Sequence, residues 1–87
     1  TELTLTESSA EEAMLKLGQF KELAMVNYAH FVFPTDEEVL SVFKVAEKHY
    51  PDSCSAEELL IGATAQRRPY VLRGLAWLCK LGLLQFS

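Results

Sequence analysis

The apolar and polar positions of the chain divide it into one alternating segment followed by several helical ones. Residues 1–6 alternate, with Leu3 and Leu5 on one face, which predicts a short edge strand or an extended arm. Ser9 and Glu12 then have the spacing of a capping box, which marks the start of a helix. Apolar residues recur after it at steps of three and four, and this predicts a helix over about residues 10–29.

A second helix is predicted between two clear boundary signals. Phe31-Val-Phe33 is a short β-like run that a proline stops. Thr35 and Glu38 then repeat the capping-box spacing. A proline shortly after position 49 disfavours helical backbone before it, so the helix is predicted over Asp36–His49.

The last third of the chain predicts two more helices and a strand. Ser55 and Glu58 again have the capping-box spacing and open a third helix with a small apolar face. After a short turn, a fourth helix is predicted over residues 67–81, with a proline in its first turn, where the missing N–H costs little. Gly82 is suited to end this helix, and Leu83–Phe86 then predicts a strand.

Charge is distributed unevenly along this chain of 87 residues, whose net charge is −4. All twelve acidic residues lie at or before Glu58, and only four cations and no acids follow it. The last third therefore carries +4 and the rest, with four lysines against twelve acids, carries −8. A chain polarised in this way can present a basic face to a polyanion, whereas chance segregation is the simpler alternative.

Residues 36–87 combine these elements in the order helix, helix, tight turn, helix, glycine, strand. The order and the segments Glu38–Phe43, Ser55–Leu60 and Arg68–Leu84 resemble a winged helix-turn-helix domain, and the third segment is similar to its recognition helix running into the first wing strand. The resemblance implies a single, mainly α domain: a three-helix core with a short β element over residues 35–87, preceded by an arm and an extra helix over residues 1–34. Too few residues follow the fourth helix for a second wing strand, so the wing is expected to be missing or incomplete.

The resemblance implies a non-catalytic module that binds double-stranded DNA, as in a transcriptional regulator. Val71, Leu75 and Leu78 share the inward face of the fourth helix, which leaves its other side and its N-terminal end for the major groove. Arginine suits the paired acceptors of guanine, and arginine, lysine and tyrosine can also hold phosphates. The residues expected to contact DNA are Gln66, Arg67, Arg68, Tyr70, Arg73 and Lys80.

The alternative is a protein-interaction or dimerisation module without nucleic acid, similar to the N-terminal dimerisation region of some methyltransferases. The first helix is apolar around much of its circumference, which favours a homodimer or a place in a larger parent protein. Trp77 falls outside the inward stripe of the fourth helix, so it either contacts a partner or packs under the first helix. The residues expected at such an interface are Leu17, Phe20, Leu23 and Trp77.

Catalytic, metal-binding and membrane roles find no support in the sequence. No phosphate-binding loop, nucleophile elbow or paired metal-ligand spacing is present, so we predict no enzyme, cofactor or metal site. Cys54 and Cys79 are expected to be reduced thiols, which favours an intracellular protein, cytoplasmic or nuclear. No apolar run approaches the ~20 residues needed to span a bilayer.

Overall fold

The computed structural model describes residues 2–23 and 34–86, with side chains in the first segment as far as position 19. Within these residues the fold is mainly α, as the sequence predicts, with one small antiparallel sheet. The predicted end of the first helix and the run 31–33 lie outside the described residues. The elements in chain order are β1 (Glu2–Leu5), α1 (Ala10–Leu23), α2 (Asp36–His49), β2 (Cys54–Ser55), α3 (Ala56–Leu59), α4 (Arg68–Lys80) and β3 (Leu84–Phe86).

The strand β1 lies at the centre of the sheet, whose order is β2-β1-β3. It pairs antiparallel with both neighbours, with Leu3 opposite Cys54 on one side and opposite Phe86 on the other. The alternation of residues 1–6 predicts an edge strand or an arm. The edge position is wrong, because β1 is the central strand, between β2 and β3. The partner of β3 in the sheet is β1, from the start of the chain, and the expectation of a missing or incomplete wing stays a prediction.

The core is built by all the described elements together. The apolar face of β1 packs against the helices, and Phe43 of α2 is fully buried at its middle. Residues before and after position 34 thus share one core and one sheet. The core residues that are at most 2% exposed are Leu3, Leu5, Ala13, Leu17, Val39, Val42, Phe43, Ala46, Cys54, Leu59, Val71, Leu78, Leu83 and Leu84.

The starts of the helices carry the capping bonds that the sequence predicts. At α2 the capping box is complete: the Glu38 N–H donates to Thr35 Oγ1 (3.2 Å) and the Thr35 N–H donates to Glu38 Oε1 (2.9 Å). At α1 the Glu12 N–H donates to Ser9 Oγ, and the Ala10 N–H donates to a carboxylate oxygen of Glu47 on α2 (2.8 Å). This last bond ties the start of α1 to the end of α2.

The third helix is shorter than its sequence suggests. Ser55 caps it by accepting a hydrogen bond from the Glu58 N–H, but α3 ends at Leu59 after a single turn. Glycine at 62 disfavours helix by about 1 kcal/mol relative to alanine. The chain also passes close to α2 there, since a Cβ on Gly62 would overlap Ser41 Oγ. The connection from α3 to α4 therefore takes up residues 60–67.

The fourth helix agrees with the prediction to within one residue at each end. Pro69 lies in its first turn, and Gly82 follows it with φ +79°, a backbone conformation that favours glycine. Its buried residues are Val71, Gly74, Leu75 and Leu78. Gly74 permits a close approach, because a Cβ there would overlap Pro34 Cγ and lie 2.9 Å from Pro34 Cδ.

We expect alanine to have opposite effects at two helical glycines. Gly74→Ala should lower the free energy of unfolding by about 1–3 kcal/mol, because the methyl group forces α4 away from Pro34. Gly18→Ala in α1 should raise it by roughly 0.5–1 kcal/mol, because nothing lies within 4 Å of the added Cβ and alanine favours the helix. Urea unfolding of both variants measures the difference, and equal effects would contradict the close packing at Gly74.

Candidate functional site

The side of α4 opposite the core is exposed and carries positive charge. Pro69, Arg73, Ala76 and Lys80 recur at steps of four, three and four along this side, and all are exposed. Arg68 is exposed at the start of the helix. α4 thus buries one face in the core and exposes the opposite face to solvent.

Arg67 is held by an acid of α2, and its side chain is 37% exposed. Its Nε donates to Glu38 Oε2 and its second guanidinium nitrogen, Nη2, donates to Glu38 Oε1, both at 2.9 Å. Its guanidinium also lies 4.8 Å from the centre of the Tyr70 ring. That Arg67 contacts DNA stays a prediction; the bidentate pair with Glu38 engages two of its five N–H donors.

The Arg67–Glu38 pair fixes one end of α4 against the start of α2. The Glu38 carboxylate accepts hydrogen bonds from the Thr35 N–H and from Arg67 at the same time. The capping box of α2 thereby orients the carboxylate that receives the guanidinium. Arg67 therefore positions the start of α4. Asp36 and Glu37, which lie with Glu38 in the first turn of α2, bring negative charge to the start of α4.

Stability should fall in acid because of this pair. Hydrogen bonding from Arg67 lowers the pKa of Glu38 from 4.5 to about 2. A carboxyl group whose pKa is lower in the folded state stabilises the fold above its unfolded pKa. The contribution is lost as the pH falls from about 4.5 to about 2. In urea unfolding across this range, Glu38→Gln should show a shallower loss of stability than the wild type. Glu37→Gln is the control, and an unchanged profile in Glu38→Gln would contradict the pair.

The other predicted DNA contacts remain on the surface. Gln66, Arg68, Arg73 and Lys80 are exposed, and Tyr70 is 38% exposed beside the Arg67 guanidinium. Within residues 2–23 and 34–86 no acid pairs with Arg68, Arg73 or Lys80. Three cations of α4 are therefore available to a ligand, and they lie along the helix as well as at its start.

Trp77 is half-buried on the flank of α4. The Lys80 ammonium lies 5.0 Å from the centre of its ring, a cation–π contact between residues three apart on the helix. The indole ring therefore supports the side chain of Lys80 at the end of the basic face. This contact could have been anticipated from the spacing of the two residues.

Of the three residues of the first helix expected at an interface, Leu17 is instead a core residue. It is 1% exposed, because it lies on the face of α1 that packs against α2 and joins the core. The side chains of Phe20 and Leu23 lie outside the described residues. Among the described side chains of α1, Leu15 is a large apolar residue that is 68% exposed.

A second exposed apolar region lies between α4 and β3 and has no counterpart in the sequence-based site. Leu72 is 52% exposed and Phe86 is 60% exposed, and both border this region. The helical spacing places Leu72 at the margin of the inward face, which is a usable signal. Phe86 gives no comparable signal, because a terminal strand residue does not show from its sequence which element lies beside it.

The thiols and imidazoles give no reactive or metal-binding cluster in the described part of the chain. Burial raises the pKa of both Cys54 and Cys79, so each thiol is held in its protonated form. His49 Nε2 lies 2.9 Å from Glu58 Oε2 at the end of α2. The described residues contain no group of three potential metal ligands and no helix long and apolar enough to cross a bilayer.

No protein-family model matches the chain, and no curated protein sequence or solved structure is significantly similar to it.

Proposed function

We propose that the chain is a non-catalytic, winged-helix-like module that binds double-stranded DNA through the exposed face of α4. The observation that carries the proposal is the exposed side of α4 with Arg73 and Lys80, together with Arg68 at the start of the helix. No described acid pairs with any of these three cations. An exposed basic helix held on a small helical core is the common device for entering a DNA groove.

The dimensions of α4 suit the major groove. An α-helix with side chains is about 10–12 Å across, and the groove is about 12 Å wide. The 13 residues of α4 extend about 20 Å, so cations at both ends can reach phosphates on either side of the groove. Arg73, at the middle of the exposed face, is the residue best placed to reach a base edge, and Arg68 and Lys80 suit the backbone.

The proposal extends the contact along α4 from Arg68 to Lys80 and leaves Arg67 out of it. Arg67 is engaged by Glu38, and the acidic first turn of α2 lies at the start of α4. In the winged-helix interpretation β3 is the first wing strand, and its antiparallel partner is β1 from the start of the chain. The sheet then supports α4 from behind without a hairpin between those two strands.

A duplex titration tests the proposal. Binding of a fluorescent 16-base-pair duplex is followed by anisotropy at 50 mM salt for the wild type and for Arg68→Ala/Arg73→Ala. We expect the double variant to bind about 10-fold more weakly or worse, because two of the three cations are removed. The matched control is Lys44→Ala/Lys48→Ala, which removes the same charge from the exposed side of α2. No binding by the wild type, or equal losses in the two variants, would overturn the proposal.

A second candidate function is self-association through α1, without nucleic acid. The specific observation in its favour is Leu15, which is 68% exposed beside Met14 and Leu40 in a concavity of about 590 Å³. Sedimentation of the wild type and Leu15→Lys over a range of concentrations distinguishes the two candidates. A wild type that dimerises while Leu15→Lys does not, together with no DNA binding, would favour the second.

A further inference from the structure

The sheet has an open edge at β3, beside an apolar groove. In the order β2-β1-β3, β3 is an outer strand, and among the described residues no strand lies on its far side. An edge strand presents unpaired N–H and C=O groups that can bind another strand. Exposed apolar side chains beside such an edge make it a candidate binding surface.

The backbone register identifies the groups that face outward. The Thr6 N–H donates to the Leu83 C=O at 3.2 Å, which makes this pair a hydrogen-bonded one. Hydrogen-bonded and non-hydrogen-bonded pairs alternate along antiparallel strands. The pair Thr4–Gln85 is then hydrogen-bonded, and the pairs that Leu84 and Phe86 make with β1 are not. The N–H and C=O groups of Leu84 and Phe86 therefore point away from β1, toward the open edge.

Two connected concavities lie between this edge and α4. One, of about 630 Å³, extends along β3 past Lys80 and Gly82. The other, of about 220 Å³, continues from Phe86 inward between α4 and the sheet, past Leu72 to Leu3 and Ala56. Ala76, Cys79 and Phe86 line both, so the two form one groove. Alternate side chains of a strand added to β3 would point into this groove, since Leu84 and Phe86 face the same side.

Among the described residues that line the two concavities, the one ionised side chain is a cation, Lys80. Arg73 lies two helical turns before Lys80 on the exposed side of α4. No acidic residue is present after Glu58, so α4 and β3 offer no negative charge to compete for these cations. An acidic side chain in a bound segment would therefore find a complementary partner here.

We propose that this groove binds an extended peptide segment of a partner protein, which adds to β3 as a fourth strand. Apolar side chains at alternate positions of the segment fill the α4–β3 groove, and an aspartate or glutamate near one end pairs with Lys80. Backbone hydrogen bonds to Leu84 and Phe86 supply the affinity, and the groove and Lys80 supply the selectivity. The inference does not depend on DNA binding.

Selection from a random twelve-residue displayed peptide library on the immobilised 87-residue chain tests this site. We expect enriched peptides to have apolar residues at every second position and at least one acid. The tightest enriched peptide should lose about 10-fold in affinity or more against Phe86→Pro, because proline removes the outward N–H and the side chain at the groove. Lys80→Gln should lower the affinity for the same peptide severalfold. Ile61→Ser removes a 69% exposed apolar residue outside both concavities and should leave affinity unchanged.

Leu72→Ser provides a second test that leaves β3 intact. This variant should also bind the enriched peptide more weakly than the wild type does. Circular dichroism confirms that each variant is folded before it is compared. The proposal is overturned by no enrichment, by enriched peptides with apolar residues at helical spacing, or by equal affinities of the wild type and Leu72→Ser. Because Phe86 and Leu72 are not among the proposed DNA contacts, these results are separate from those of the duplex titration.

Discussion

Replacing Leu5 by alanine is expected to lower the free energy of unfolding by about 2–5 kcal/mol. Leu5 is 1% exposed on the central strand, where its side chain fills the core between the sheet and the helices. A domain of 87 residues has a total unfolding free energy of roughly 4–13 kcal/mol. The substitution should therefore remove a large part of the stability, although it lies near the start of the chain.

Leu15→Ala is the matched control for this prediction. It makes the same chemical change at a residue that is 68% exposed, so it should alter stability by no more than about 0.5 kcal/mol. Urea unfolding followed by circular dichroism measures both. If Leu5→Ala were as mild as Leu15→Ala, the first strand would be a dispensable arm and the central position of β1 would be wrong.

The second large effect is expected in the salt dependence of DNA binding. Each phosphate neutralised by a cation contributes a slope of about −0.9 to the plot of log affinity against log salt. With Arg67 engaged by Glu38, three cations remain on α4, which gives a slope of about −2.7. Affinity should then fall about 40-fold between 50 and 200 mM salt.

Variants of α4 should change that slope by defined steps. Removing Arg68, Arg73 and Lys80 together should bring it close to zero, whereas Arg67→Ala should leave it almost unchanged because Arg67 makes no phosphate contact in the proposal. Equilibrium anisotropy at five salt concentrations measures the slope for each variant. A steep slope in the triple variant, or a drop of about one unit in Arg67→Ala, would contradict the assignment of the contacts.

The helices whose ends are marked by local signals could be predicted closely from the sequence. Thr35 and Glu38 are three residues apart and cap α2 by direct contact, and Gly82 ends α4 through its own backbone conformation. The buried stripe of α4 follows from helical spacing alone. Each of these features is decided within a few residues, so the pattern contains the information.

The sheet could not be predicted in the same way, because its pairings are distant in the sequence. Leu3 lies opposite Cys54 and Phe86, and no local pattern in residues 1–6 identifies either partner. Alternation shows only that one face of β1 is buried. Whether it is an edge or the centre depends on how many strands the rest of the chain supplies.

The candidate site could be predicted in part. The exposure of Arg73 and Lys80 follows from the helical face that they share, whereas Arg68 is exposed at the start of the helix. The engagement of Arg67 does not follow, because Glu38 is 29 residues away and its capping role gives no hint of a second partner. Leu17 shows the same limit, since an apolar helix does not reveal which of its faces the rest of the chain covers.

The most direct test of DNA binding by α4 is to map the contact on the folded chain. Backbone amide resonances of the isotopically labelled protein are followed by NMR during titration with an unlabelled 16-base-pair duplex at low salt. The proposed binding mode requires the largest shifts between Gln66 and Lys80 on the exposed side of α4, and small ones at Lys44 and Lys48 of α2. Shifts confined to α1, α2 or the open edge of β3, or no shifts at all, would contradict it.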